Sequence, residues 1–236
     1  MKTIFFFCLV CTVAATTSNI LFIGNSFTFV NDLPKTFRRL ASAGGHPINT
    51  YFFGVGAASF QSLSKHPVLP SYLNLTKHWD YIILQEQSMF LALAPYMYRQ
   101  CSIPYAKQLY TMIKNRTDHV ILFETWAYLN GNPTLMTGLN DTYDKMQQRL
   151  SHGYNETRSV LLAMRSSDRD ASVSVASVGQ AWSVARKLPK FRNKLWQSDE
   201  MHPKPCGTYL AATVFFRHIF HQSALKTIKM KGCTIK

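Results

Sequence analysis

The chain has 236 residues, 47% of them hydrophobic and 16% charged, with a formal net charge of +14 at pH 7. That length and apolar content suit one α/β domain with a sizeable core. The positive excess reads either as a solubilising surface or as a field for anionic partners such as acidic glycans or phospholipid headgroups. Nucleic acid is argued against, because no helix-turn-helix, zinc or aromatic-ladder pattern is present.

In chain order, Met1-Lys2 and the apolar run Ile4 to Ala15, with small residues around Val13-x-Ala15, predict a secretory signal peptide over residues 1–18. Cleavage is expected at about 15–18, leaving one domain over 19–236 and, with Lys2 gone, a charge of +13. No other segment approaches ~18 uninterrupted apolar residues, so no stable membrane insertion is expected and the chain should be extracellular. Candidate strands are Asn19–Gly24, Ile48–Phe53, Tyr81–Gln85, His119–Glu124 and Ser172–Val178. Candidate helices are Leu33–Ala43, Pro104–Asn115, Asn140–Arg165, Gly179–Lys187 and Cys206–His221, with Asp32 capping the first. Runs such as Tyr81-Ile-Ile-Leu84 and Val120-Ile-Leu-Phe123 are apolar on both faces, as a parallel sheet covered by helices requires. There is no internal repeat or linker.

Four sequons, at Asn74, Asn115, Asn140 and Asn155, fall where loops or exposed helix faces are expected and fit glycosylation on a secretory route. The processed chain keeps Cys101, Cys206 and Cys233. An oxidising compartment predicts one disulfide, for which Cys206–Cys233 is the chosen pair, and leaves one thiol over. Three cysteines without a CxxC pair make no zinc site.

The chemistry starts at Gly24-Asn25-Ser26, a tight turn ending the first strand. A serine at the carboxyl end of a strand in an alternating β/α chain sits where such folds place ligands. Its hydroxyl becomes a competent nucleophile only when an imidazole takes its proton and a carboxylate holds that imidazole in one tautomer. Asp199 and His202, three residues apart before the last helix, offer both groups.

Ile23-Gly24-Asn25-Ser26-Phe27-Thr28 resembles block I of the GDSL/SGNH hydrolases, with Asn25 in place of the usual aspartate. Asp199-x-x-His202-Pro203 resembles their last block, and Gly56-Ala57-Ala58-Ser59-Phe60 follows the second strand, where the family uses a glycine amide as an oxyanion donor. Asp80-Tyr-Ile-Ile-Leu-Gln-Glu-Gln-Ser88 follows the pattern of the third strand and its exit loop, with Gln87 where the family has its asparagine. The resemblance is closest to a branch carrying GNSFT, LQEQS and a Trp-containing strand, here Phe123-Glu-Thr-Trp126. It implies a flavodoxin-like three-layer α/β/α sandwich with a mainly parallel five-stranded sheet, a Ser26–His202–Asp199 triad, and an oxyanion hole of Ser26, Gly56 and Gln87. Gln85 competes with Gln87 for that role, and Gly54 with Gly56. It implies no metal or organic cofactor; a monomer is expected.

Gly54-Val-Gly56 lacks the third glycine and downstream acid of a dinucleotide loop. Glu86 reads either as a substrate contact or as a cap on the next segment, and Trp126 either lines a pocket or is buried. His218 and His221 read as packing or surface residues. Two functions stay open: a secreted serine esterase of small acetyl-type esters, with carbohydrate or lipid esters as substrates, and a non-catalytic glycan- or lipid-binding protein on the same fold.

Overall fold

The computed structural model describes residues 17–132, 141–191, 193–223 and 232–233. Most of the expected leader, residues 1–16, and the sequon asparagine Asn140 lie outside the described residues.

Five strands, β1 Ser18–Gly24, β2 Ile48–Gly54, β3 Trp79–Leu84, β4 Thr117–Phe123 and β5 Ser172–Ala176, form one sheet in the order β2-β1-β3-β4-β5. Every neighbouring pair is parallel. Between and after them run α1 Ser26–Phe29, α2 Leu33–Ala43, α3 Phe60–Ser64, α4 Leu69–Leu73, α5 Pro95–Cys101, α6 Ile103–Ile113, α7 Tyr143–Leu162, α8 Val178–Ala185 and α9 Pro205–Phe220. Helices α2, α8 and α9 pack together over one face of the sheet, and α3, α6 and α7 over the other. The architecture is a three-layer α/β/α sandwich, as the two-sided apolar strands demand.

Ile20, Leu21, Phe22 and Ile23 of β1 have no exposed surface, so the strand is covered on both faces. Phe22 meets Phe37 of α2 and Phe215 of α9 edge-on, at centroid distances of 6.2 and 5.6 Å. Burying a side chain of this size contributes about 1.5–3 kcal/mol, so the central strand fixes the layer spacing.

The five long helices fall within about three residues of expectation, a scatter normal at frayed ends. α7 starts at Tyr143 rather than Asn140, where Thr142 accepts a hydrogen bond from the Lys145 amide. β3 starts two residues early, at Trp79, and ends before Gln85. The short helices α1, α3, α4 and α5 were not anticipated: one or two turns are too short to display a 3.6-residue period.

The structure joins Cys206 to Cys233 by a disulfide and leaves Cys101 as a half-buried thiol. Asn74, Asn115 and Asn155 are exposed. Among the described residues, no helix is long and apolar enough to cross a membrane.

Candidate active site

β1 lies between β2 and β3, and the chain leaves the carboxyl end of β1 toward β2 but leaves that of β3 toward β4, on the opposite side. Ligand crevices form where connections diverge in this way. On the other side of β1, its last residue, Gly24, pairs with Gly54 of β2. A Cβ on Gly54 would fall 1.8 Å from the Gly24 carbonyl oxygen, so glycine is obligatory there for packing. Gly56 differs: it is exposed, and a Cβ on it would meet nothing within 4 Å.

Ser26 begins α1, and Asn25 caps that helix by accepting from the Phe27 amide at 3.0 Å. The amino group of the Asn25 side chain donates to the Ala58 carbonyl at 2.8 Å, tying the serine turn to the loop after β2. Gln85, 1% exposed, holds the turn from the other side. Its carboxamide oxygen accepts from the Asn25 amide at 2.9 Å and the Thr28 hydroxyl at 3.0 Å, and its amino end bonds the Glu86 carbonyl. Gln85 is therefore a brace for the serine turn, its oxygen shared by two donors and its amino end turned to the Glu86 carbonyl.

The far end of the chain meets this turn. Ser26 Oγ lies 2.8 Å from His202 Nε2, and His202 Nδ1 lies 2.5 Å from Asp199 Oδ2. Because Nδ1 faces a carboxylate it carries the proton, and Nε2 is left to accept from the serine hydroxyl. Asp199 Oδ1 also accepts the amides of Met201 and His202, at 3.0 and 2.9 Å. Burial works to raise the Asp199 pKa, but the hydrogen bonds from Met201 and His202 outweigh it and hold the acid below its ordinary range.

Backbone contacts keep the acid–base turn in place. The indole N–H of Trp126 donates to Met201 O at 2.9 Å, the Gln197 amide to His202 O at 2.8 Å, and Asn31 Nδ2 to Pro203 O at 2.8 Å. Trp126 itself is fully buried, stacked between Phe27 at 4.8 Å and Trp182 at 4.0 Å, so it supports the site from below rather than lining a pocket. Gln87 is partly exposed on the loop after β3; its oxygen accepts from the Met89 amide at 2.9 Å, and its side chain also bonds Tyr128. The Tyr128 hydroxyl pairs with Ser88 Oγ at 2.7 Å. Glu86 is completely buried, which argues against a substrate contact, and its carboxylate does not cap the short helical turn that follows it. Among the described residues no group of three or more His, Cys, Asp or Glu could hold a metal ion.

The fold is that of the SGNH hydrolases. A candidate SGNH hydrolase from Slackia heliotrinireducens superposes with a TM-score of 0.62 at 22% identity, over 85% of this chain and 97% of that one. A DUF4886 family protein from Bacteroides uniformis gives a TM-score of 0.71 at 20% identity, over 91% and 89%. The acetylxylan esterase Axe2 from Geobacillus stearothermophilus gives 0.56 at 16% identity, over 90% and 100%. No protein-family model and no curated protein matches the chain.

Proposed function

We propose that the chain is a secreted serine esterase acting on small acyl esters of the acetyl type, with acylated carbohydrate as its substrate class. The reading rests on one observation: Ser26 Oγ, His202 and Asp199 are joined by consecutive contacts of 2.8 and 2.5 Å. The substrate class follows the acetylxylan esterase that shares the fold. Secretion rests on the leader pattern and the exposed sequons, and the Cys206–Cys233 bond suits an oxidising compartment.

In this mechanism Ser26 Oγ attacks the ester carbonyl while His202 Nε2 takes its proton, and Asp199 orients and stabilises the imidazolium. The amides of Ser26 and Gly56, with the Gln87 carboxamide, hold the developing oxyanion. His202 then protonates the leaving alcohol, and water repeats the cycle on the acyl-enzyme. Gly56 is preferred over Gly54 because sheet packing already accounts for Gly54. The missing side chain at the open position 56 instead clears space for an approaching ester.

Fluorophosphonate labelling of the purified protein beside Ser26→Ala tests this. Labelling should occur in the wild type and vanish in the variant. A well-folded wild type that takes no label would return the chain to the glycan- or lipid-binding alternative.

A further inference from the structure

Two loops frame Ser26, the 54–60 segment carrying Gly56 and the exit of β3 carrying Gln87, and a single buried carboxylate joins them. Glu86 Oε1 accepts the amide of Phe60 and the amide of Gln87, each at 2.7 Å. Its Oε2 accepts from the hydroxyl of Ser102, the residue before α6. Two positions earlier than Phe60, the Ala58 carbonyl accepts from Asn25, the neighbour of Ser26. Gln85 returns from the end of β3 to the Asn25 amide. Serine turn, glycine loop and Gln87 loop thus form one closed circuit of hydrogen bonds, in which Glu86 joins two of the three members.

We propose that Glu86 is a positioning residue for the esterase reaction: its carboxylate fixes the spacing between the Gly56 amide and the Gln87 carboxamide, so that both meet the same oxyanion. The inference rests on the Ser26–His202–Asp199 reading above. Donors aimed before the reaction need no reorganisation when charge develops, and their value depends on sub-ångström placement. A carboxylate suits the task because it presents acceptors on both oxygens to three donors at once, whereas a carboxamide has one acceptor oxygen. Holding it there is costly. Burial pushes the Glu86 pKa up to about 7, against the lowering effect of its bonds from Ser102, Gln87 and Phe60. A mere helix cap needs no buried charge, since serine or asparagine does that work at the surface. The other titratable groups close to it, Tyr154 and Cys101, are both shifted upward, chiefly by their own burial.

The test compares steady-state hydrolysis of a short-chain aryl acetate by wild type, Glu86→Ala, Glu86→Gln, Gln87→Ala and the double variant Glu86→Ala/Gln87→Ala, each with a melting curve. Glu86→Ala should lower kcat about 10²-fold while KM stays within about threefold. Its effect should combine less than multiplicatively with Gln87→Ala, because one acts through the other. Glu86→Gln, which keeps one acceptor oxygen, should fall between and carries the test if the alanine variant does not fold. A Glu86→Ala or Glu86→Gln enzyme with kcat within about twofold of wild type overturns the proposal, as do fully multiplicative effects. An active wild type with unaffected variants sinks this inference alone, whereas a wild type inert to esters and fluorophosphonate sinks the esterase reading with it.

Discussion

Around Ser26 the supporting groups are buried side chains: Asn25, Thr28 and Gln85 are each no more than 2% exposed, and each bonds across the crevice. Around His202 the supported atoms are backbone carbonyls, of Met201, His202 and Pro203, while the Asp199 and His202 side chains are 37% and 27% exposed. Ser26 is thus set in a buried polar network, and His202 hangs on a surface turn whose main-chain carbonyls are held from outside. In a buried network, chemistry and folding share the same atoms, so a change hits both. On the exposed turn the imidazole is separable from what holds it, although Asp199 also accepts two of the turn's amides.

The sharpest check on that contrast is His202→Ala. Its ring does not anchor the turn, so kcat for a short-chain aryl ester should fall at least about 10⁴-fold with little movement in Tm. A variant that keeps most of its turnover removes His202 as the base; one that loses its fold removes the contrast. Next in size is the pH dependence of stability contributed by Glu86. Its carboxyl is raised from 4.5 to about 7 in the folded chain, so the folded state binds its proton more tightly than the unfolded one. That contribution is complete below about pH 4.5 and is lost as pH rises to about 7, a fall on the order of 3 kcal/mol. Urea midpoints of wild type and Glu86→Gln across that range should diverge accordingly, and parallel curves would disprove it. The smallest effect is expected at Gln85→Ala, which strands the buried amide of Asn25. A loss of about 1–3 kcal/mol in stability should come together with reduced kcat, unlike the clean separation at His202. Unfolding midpoints and kcat on the same preparation decide this.

What could be read in advance follows the same divide. The strands of the sheet were legible because Ile20–Ile23 and Val120–Phe123 are apolar on both faces, and α2 because Leu33, Phe37, Leu40 and Ala41 repeat at helical spacing. Ser26, Asp199 and His202 stood out because their chemistry needs those residue types near a tight turn. Gln85 stands only as an alternative to Gln87 in the sequence, since nothing local tells a carboxamide whether it will face a ligand or a backbone amide sixty positions away. Asn31 gives no usable signal and Trp126 leaves pocket and burial open, because their value lies in carbonyls of residues 201 and 203, which only the fold brings near. The short helix α1 escaped notice for a similar reason: its cap is specified, but its single turn leaves no periodicity.

Cys206, second residue of α9, lies four positions after His202, and its sulfur is bonded to Cys233, 27 residues on. Closing a ring of that size lowers the entropy of the denatured chain by an amount worth about 3–4 kcal/mol. The clasp therefore makes the imidazole's end of the molecule a redox dependant. Synthesised among reducing thiols, the polypeptide would lose a restraint four positions from His202.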